Sequence, residues 1–230
     1  MSVAEKMTAI ADAIRNKTGK TDKLSLDEMV TEINEISSGE RDINPEWTDW
    51  RYFCACGRYS LGEKLKYSDT SNGTNFSCMY HEAGSNDSRY YPYIDTSKGT
   101  NFSSMFSYCT VRTIPEYDTS KGTNFSNMFS HAQYIHTIPK LDLSNGTSFS
   151  NMFSSCKALE NLNIVGTINA TGLNVQYSPL SHDSLMSIIT ALADKTSASG
   201  TWKVTLGNTN LAKLTADEIA IAEGKGWTLA

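Results

Sequence analysis

The stretch DTSKGTNFSNMFSHA at residues 118–132 decides the fold, because the chain repeats it. Related phrases open at Asp69 (DTSNGTNFSCMYHEA), Asp95 (DTSKGTNFSSMFSYC) and Asp142 (DLSNGTSFSNMFSSC). The steps from Asp to Asp are 26, 23 and 24 residues. Self-similarity at a period of roughly 20–30 residues marks a solenoid, whose units bury their apolar faces only against one another.

Each column of the repeat has a physical reading. Asp-Thr-Ser-x-Gly is a turn: the Asp satisfies its own backbone and the Gly is free to take a positive φ. Thr-Asn then offers a capping oxygen. Phe125, Met128, Phe129 and Ala132 follow at i, i+3, i+4 and i+7, which predicts one apolar face of a two-turn helix. The last of these columns holds Ala83, Cys109, Ala132 and Cys156, small residues suited to a crowded interior. Thr113-Ile114-Pro115, Thr137-Ile138-Pro139 and Asn161-Leu162-Asn163-Ile164 are predicted as short strands of a parallel ladder. Phe53 to Cys56 and Ser60 to Gly62 read as a degenerate first copy.

The ends change period. Met7, Ile10 and Ile14 share one face of a predicted helix, and Met29, Ile33 and Ile36 one face of a second, opened by a Ser25/Glu28 capping box. Such a hairpin is too small for a core of its own, so its apolar stripe needs a partner. At the other end, Ser181–Lys195 and Thr215–Lys225 read as helices, and Trp202–Leu206 and Trp227–Leu229 as strands. The expected architecture is an α/β, leucine-rich-repeat-like solenoid of short parallel strands and short helices. Residues 1–38 form a helical hairpin anchor, 39–49 a linker, 50–166 the repeats and 167–230 a C-terminal βα cap.

Composition narrows the function. Ser, Thr and Asn make up 69 of 230 residues, which favours turns over long helices. A net charge of −5 lacks the basic footprint of a nucleic-acid binder, and no apolar run is long enough to span a membrane. The opening residues have charges inside the would-be apolar stretch of a signal peptide, so synthesis in a cytoplasm without exit by the general secretory route is expected. The four repeated Asp occupy turns and do not pair for acid/base work. The four His lack zinc-pair spacing, and the calcium nonapeptide of other solenoids is missing. No nucleophile elbow or phosphate loop is found. No metal, no cofactor and no enzymatic activity are expected.

Binding suits the architecture better, because the residues between the Ala/Cys column and the next Asp vary while the core columns repeat. They include Arg89, Tyr90 and Tyr93, then Arg112 and Glu116, then Tyr134, His136 and Lys140. Tyr91 and Tyr117 align with Ile114 and Leu141 and read as core.

The phrase Asn-Phe-Ser-x-Met-Phe-x-x-Cys/Ala, followed by x-Ile-Pro, resembles the bacterial surface-antigen type of leucine-rich repeat over residues 50–166. The N-terminal Ala11-Asp12-Ala13-Ile14-Arg15 and Leu24-Ser25-Leu26-Asp27-Glu28-Met29 are similar to the opening of phage tail fibre and minor structural proteins. The C-terminal Leu206-Gly207-Asn208-Thr209-Asn210-Leu211 and Lys225-Gly226-Trp227-Thr228-Leu229 are similar to the end of phage-borne repeat proteins. The resemblance implies a virion protein, on tail fibre or baseplate, made in the host cytoplasm. Its hairpin residues Met7, Ile10, Ile14, Met29, Ile33 and Ile36 would join other virion proteins within a homo-oligomer. Its repeats would meet a host-surface glycan or protein. A head fibre or capsid decoration without receptor role, or a bacterial cell-surface adhesin, are the alternatives.

Overall fold

A computed structural model describes Asp49, residues 70–83 and residues 94–230. The chain divides into Met1–Asn44 and Pro45–Ala230, and all described residues belong to the second unit. The anchor residues Met7, Ile10, Ile14, Met29, Ile33 and Ile36, and the degenerate first copy, lie outside the described residues.

The repeats form coils laid one on another in register. Coil one covers described residues 70–83, coil two 94–117, coil three 118–141 and coil four 142–165. Parallel bridges join Asp49, Asn75, Asn101, Asn124 and Ser148 in sequence, one per coil. From Phe125 onward alternate N–H groups point to the next coil: Phe125 to Ser148 O, Asn127 to Ser150 O, Phe129 to Met152 O and His131 to Ser154 O, at 2.7–2.9 Å. Coil two bonds to coil three, and coil one to coil two, by the same four-donor pattern. Four peptide units per coil are therefore aligned along the stack, carbonyl backward and N–H forward.

The segment read as a two-turn helix is a run of three overlapping turns. The N–H groups between the forward-pointing ones close locally: Met128 to Phe125 O, Ser130 to Asn127 O and Ala132 to Phe129 O. Asn127 and His131 have φ of 57° and 61°, at the third position of their four-residue turns, where a type II turn requires it. The same two positions are left-handed in coils one, two and four. A left-handed non-Gly residue costs about 1–2 kcal/mol. The forward hydrogen bonds and the burial beside them offset that cost, which a helix could not do, because its N–H groups are spent within its own turns.

Two columns of rings fill the interior. Phe76, Phe102, Phe125 and Phe149 stack at 5.7–6.0 Å between centroids. Tyr80, Phe106, Phe129 and Phe153 stack at 5.3–5.6 Å. All eight are buried, as are the Met column and the Ala83/Cys109/Ala132/Cys156 column. Each fully buried aromatic contributes about 1.5–3 kcal/mol by apolar burial. Tyr117 is also buried, against Phe106 at 5.6 Å. Burial pushes the Cys156 thiol up to about 12, and the charge of Cys109 in the same column acts in the same direction. Its Sγ donates to Phe129 O at 3.0 Å.

The Asp and Asn of each repeat close short turns. Asp95, Asp118 and Asp142 accept the N–H two residues ahead at 2.9 Å. Asn75, Asn101 and Asn124 do likewise at 3.0–3.1 Å. Gly122 is required for space, contrary to the expected positive φ: a Cβ there would lie 2.2 Å from Phe125 Cζ. Gly73, Gly99 and Gly146 carry the same ring over their Cα. Buried Thr70, Thr96 and Thr119 each donate to the backbone of the Asp one coil on, at 2.8–3.0 Å.

On another side of the stack, β1 (Thr137–Asp142) pairs in parallel with β2 (Asn161–Val165), with a register shift between Ile138 and Leu141. Thr113 joins Thr137 by a single bridge. Helix α1 (His182–Ala191) packs along β2. Ser181 caps it by accepting the Ser184 N–H. Then come β3 (Trp202–Val204), the single turn α2 (Asn208–Leu211), α3 (Ala216–Gly224) and β4 (Trp227–Leu229). β3 and β4 pair in parallel. Thr215 and Glu218 form a capping box on α3. The cap is tied back by Trp227 Nε1, which donates to Ala193 O at 2.7 Å, and by Lys225 Nζ, which donates to Thr190 O at 2.8 Å.

Candidate binding face

The variable residues after the Ala/Cys column are brought together by the coil step. The His136 N–H donates to Arg112 O, and the Glu160 N–H donates to His136 O, both at 3.1 Å. Arg112, His136 and Glu160 thus occupy one backbone position on three successive coils. Arg112 and Glu160 are exposed and His136 half-buried. Tyr134, two residues before His136, is 50% exposed. Ile135 between them is buried, so the alternation sends the flanking side chains outward.

Glu116 and Lys140 sit one coil apart and meet at 3.1 Å, both about half exposed. Glu116 holds the Lys140 ammonium above its usual range, by a hydrogen bond and by charge. Hydrogen bonds from Ser120 hold Asp118 below the usual carboxylate range, with Lys140 and Lys121 adding to the effect. These positions therefore carry both signs of charge, and the exposed Tyr134 adds an aromatic ring to the set. Arg89, Tyr90 and Tyr93, the expected residues of the preceding coil, lie outside the described residues.

Tyr108 and His131 were not singled out by sequence reasoning and belong to the exposed chemistry. Their rings stack at 4.4 Å with planes 7° apart, and His81 meets Tyr108 edge-on at 5.9 Å. Tyr108 is 49% exposed. Both lie at the left-handed position just before the small column. The signal was present: in coils two to four, within Phe-Ser-x-Cys/Ala, the x position changes most in chemistry, as Tyr108, His131 and Ser155.

Among the described residues, no group of three or more His, Cys, Asp or Glu is placed to hold a metal ion, and no helix is long and apolar enough to cross a membrane. His182 Nε2 meets Glu218 Oε1 at 2.8 Å, which joins α1 to α3. Glu218 is held below its usual range chiefly by the Thr215 N–H it accepts in its capping box. That histidine has a structural partner.

No curated protein and no solved structure matches the chain. The repeats themselves carry the relationship that can be assigned. A family model described as "Mycoplasma protein of unknown function, DUF285" matches residues 50–167, just over half of the 230-residue chain, and the chain belongs to that family.

Proposed function

We propose that this chain is a non-enzymatic virion structural protein whose coils form a solenoid and hold a variable face toward a host surface or a neighbouring protein. The observation that carries the reading is the constancy of the stack beneath changing side chains. The backbone position of Arg112 is occupied by His136 and then Glu160, while the rings behind it repeat. A scaffold that fixes positions and frees their chemistry serves recognition. The phage-like phrases at both ends support placement on a tail fibre or baseplate, with Met7, Ile10, Ile14, Met29, Ile33 and Ile36 as the anchoring stripe. Many copies on one particle turn weak contacts into firm attachment.

Two measurements test this. Antibody raised against the full chain should decorate purified particles at one recurring location; undecorated particles sink the virion role. Beads displaying many copies of the full chain should retain host cells, and an Arg112→Ala, Tyr134→Ala, His136→Ala variant should retain far fewer. Equal retention would remove this face from the attachment role.

A further inference from the structure

The forward-pointing N–H groups of coil four meet no following coil. In coil three the N–H groups of Phe125, Asn127, Phe129 and His131 all donate to coil four. Their equivalents, Phe149, Asn151, Phe153 and Ser155, have no protein acceptor among the described residues. Exposure follows: Ser126 and Asn127 are half-buried, whereas Ser150 and Asn151 are exposed.

The chain that should cover this edge is bonded elsewhere. Asn174 is the next residue of the Asn column, and it bridges Thr205 instead of Ser148. The Val175 N–H donates to Thr205 O at 2.8 Å, and the Thr205 N–H donates to Leu173 O at 3.0 Å. Buried Asn210 donates to Ser178 O at 2.9 Å and Val175 O at 3.3 Å from the far side. Pro179 then ends the turn series, since it cannot donate. A cleft of about 610 Å³ lies between coil four and residues 171–177, within the roughly 300–1,000 Å³ range of small-molecule sites.

We propose that this cleft is a saccharide-binding site. Of its twelve lining residues none is charged and nine carry a hydroxyl or carboxamide, among them Thr147, Ser150, Asn151, Asn174 and Gln176. Tyr177, also in the lining, is 63% exposed and offers a ring to the C–H face of a sugar. Phe149, Asn151 and Phe153 add backbone donors from peptide units whose dipoles add head to tail through the four coils. A polyhydroxylated ligand matches this mixture of fixed donors, adaptable side chains and one aromatic surface.

The spacing of the donors argues against an extended peptide. Coil four repeats the turn bonds, Met152 N–H to Phe149 O and Ser154 N–H to Asn151 O, at 3.0–3.1 Å. Such turns hold residues i and i+3 within about 7 Å, whereas three residues of a strand span about 10 Å. A straight chain drifts out of step with these donors within one turn. The site is distinct from the variable face and needs no virion role.

The test uses the full chain labelled with ¹⁵N, titrated with cellotriose, chitotriose and sialyllactose, and separately with a synthetic peptide of residues 101–108. At least one saccharide should shift the Asn151 and Ser155 amide resonances, and Tyr177→Ala should weaken it at least about tenfold with an unchanged melting temperature, since this ring is mostly exposed. Ser150→Lys, which fills the cleft, should abolish the shift. Sialyllactose alone binding would place the ligand among acidic sugars and support the proposal. Failure of all three saccharides to move these amides overturns it, as does saccharide binding that is indifferent to both variants. Binding by the peptide alone also overturns it, and would make the edge a docking place for another coil.

Discussion

Coil four ends the stack in two different ways on two of its sides. Along β2 the exposed ladder edge is covered by α1. Ser184 Oγ accepts the Leu162 N–H at 2.8 Å and donates to Glu160 O at 3.1 Å. One turn later Ser187 Oγ does the same for the Ile164 N–H and Leu162 O, at 3.2 and 3.1 Å. Two hydroxyls spaced i, i+3 on a helix thus replace the strand that a further coil would have supplied. Along residues 149–155 the same coil is left open, and its N–H groups face a polar cleft. The difference teaches that termination is built locally, one side at a time. An edge can be closed by side chains of the right spacing, and one that is not closed is available for binding. Unpaired edges are ordinarily liabilities; the turns at Asn151 and Ser155 make this one a poor template for a strand.

The comparison can be broken from either side. The largest effect should come from the interior that both sides share. Phe129→Ala removes a ring stacked between Phe106 and Phe153 at 5.5 and 5.6 Å, and should cost about 3–5 kcal/mol in denaturant unfolding; a loss below about 1 kcal/mol would mean the rings do not form a continuous spine. Next, Ser184→Ala with Ser187→Ala uncaps the closed edge and should cost about 2–4 kcal/mol, because buried groups of β2 lose partners. Ser150→Ala with Ser154→Ala on the open edge should stay within about 0.5 kcal/mol. Equal costs would erase the contrast. The finest measurement is amide hydrogen exchange. The N–H groups of Phe125, Asn127, Phe129 and His131 should be protected at least about a hundredfold over those of Phe149, Asn151, Phe153 and Ser155. Matching protection at the two sets would show that the last coil is covered after all.

Much of the interior was legible because the chain writes the same phrase several times. Phe125, Met128, Phe129 and Ala132 are buried where the period placed them, whereas the shared backbone position of Arg112, His136 and Glu160 emerges only from the hydrogen bonds between coils. The local conformation was not legible from spacing. Linked turns bury i, i+3, i+4 and i+7 as a helix does, and the left-handed Asn127 and His131 and the N–H groups turned to the next coil separate the two. Gly122 was read for its freedom of φ, whereas the ring of Phe125 demands its missing side chain. The open edge was hidden for another reason. Val175-Gln176-Tyr177-Ser178-Pro179 departs from the repeat phrase, and nothing local to it reveals that Asn210, thirty-odd residues later, holds its carbonyls from behind. Arg89, Tyr90, Tyr93 and the anchoring stripe fall outside the described residues, so they enter only through the sequence.

The identical handshake between coils has an evolutionary corollary. Coils two and three each receive carbonyl-to-donor bonds on one side and offer the same set on the other, so a duplicated copy slipped between them would find both neighbours already fitted to it. Gain or loss of a whole repeat can therefore lengthen or shorten the molecule without new packing having to be invented. Variation in reach would then be the cheapest change open to this protein, and variation in the C-terminal terminator the most expensive.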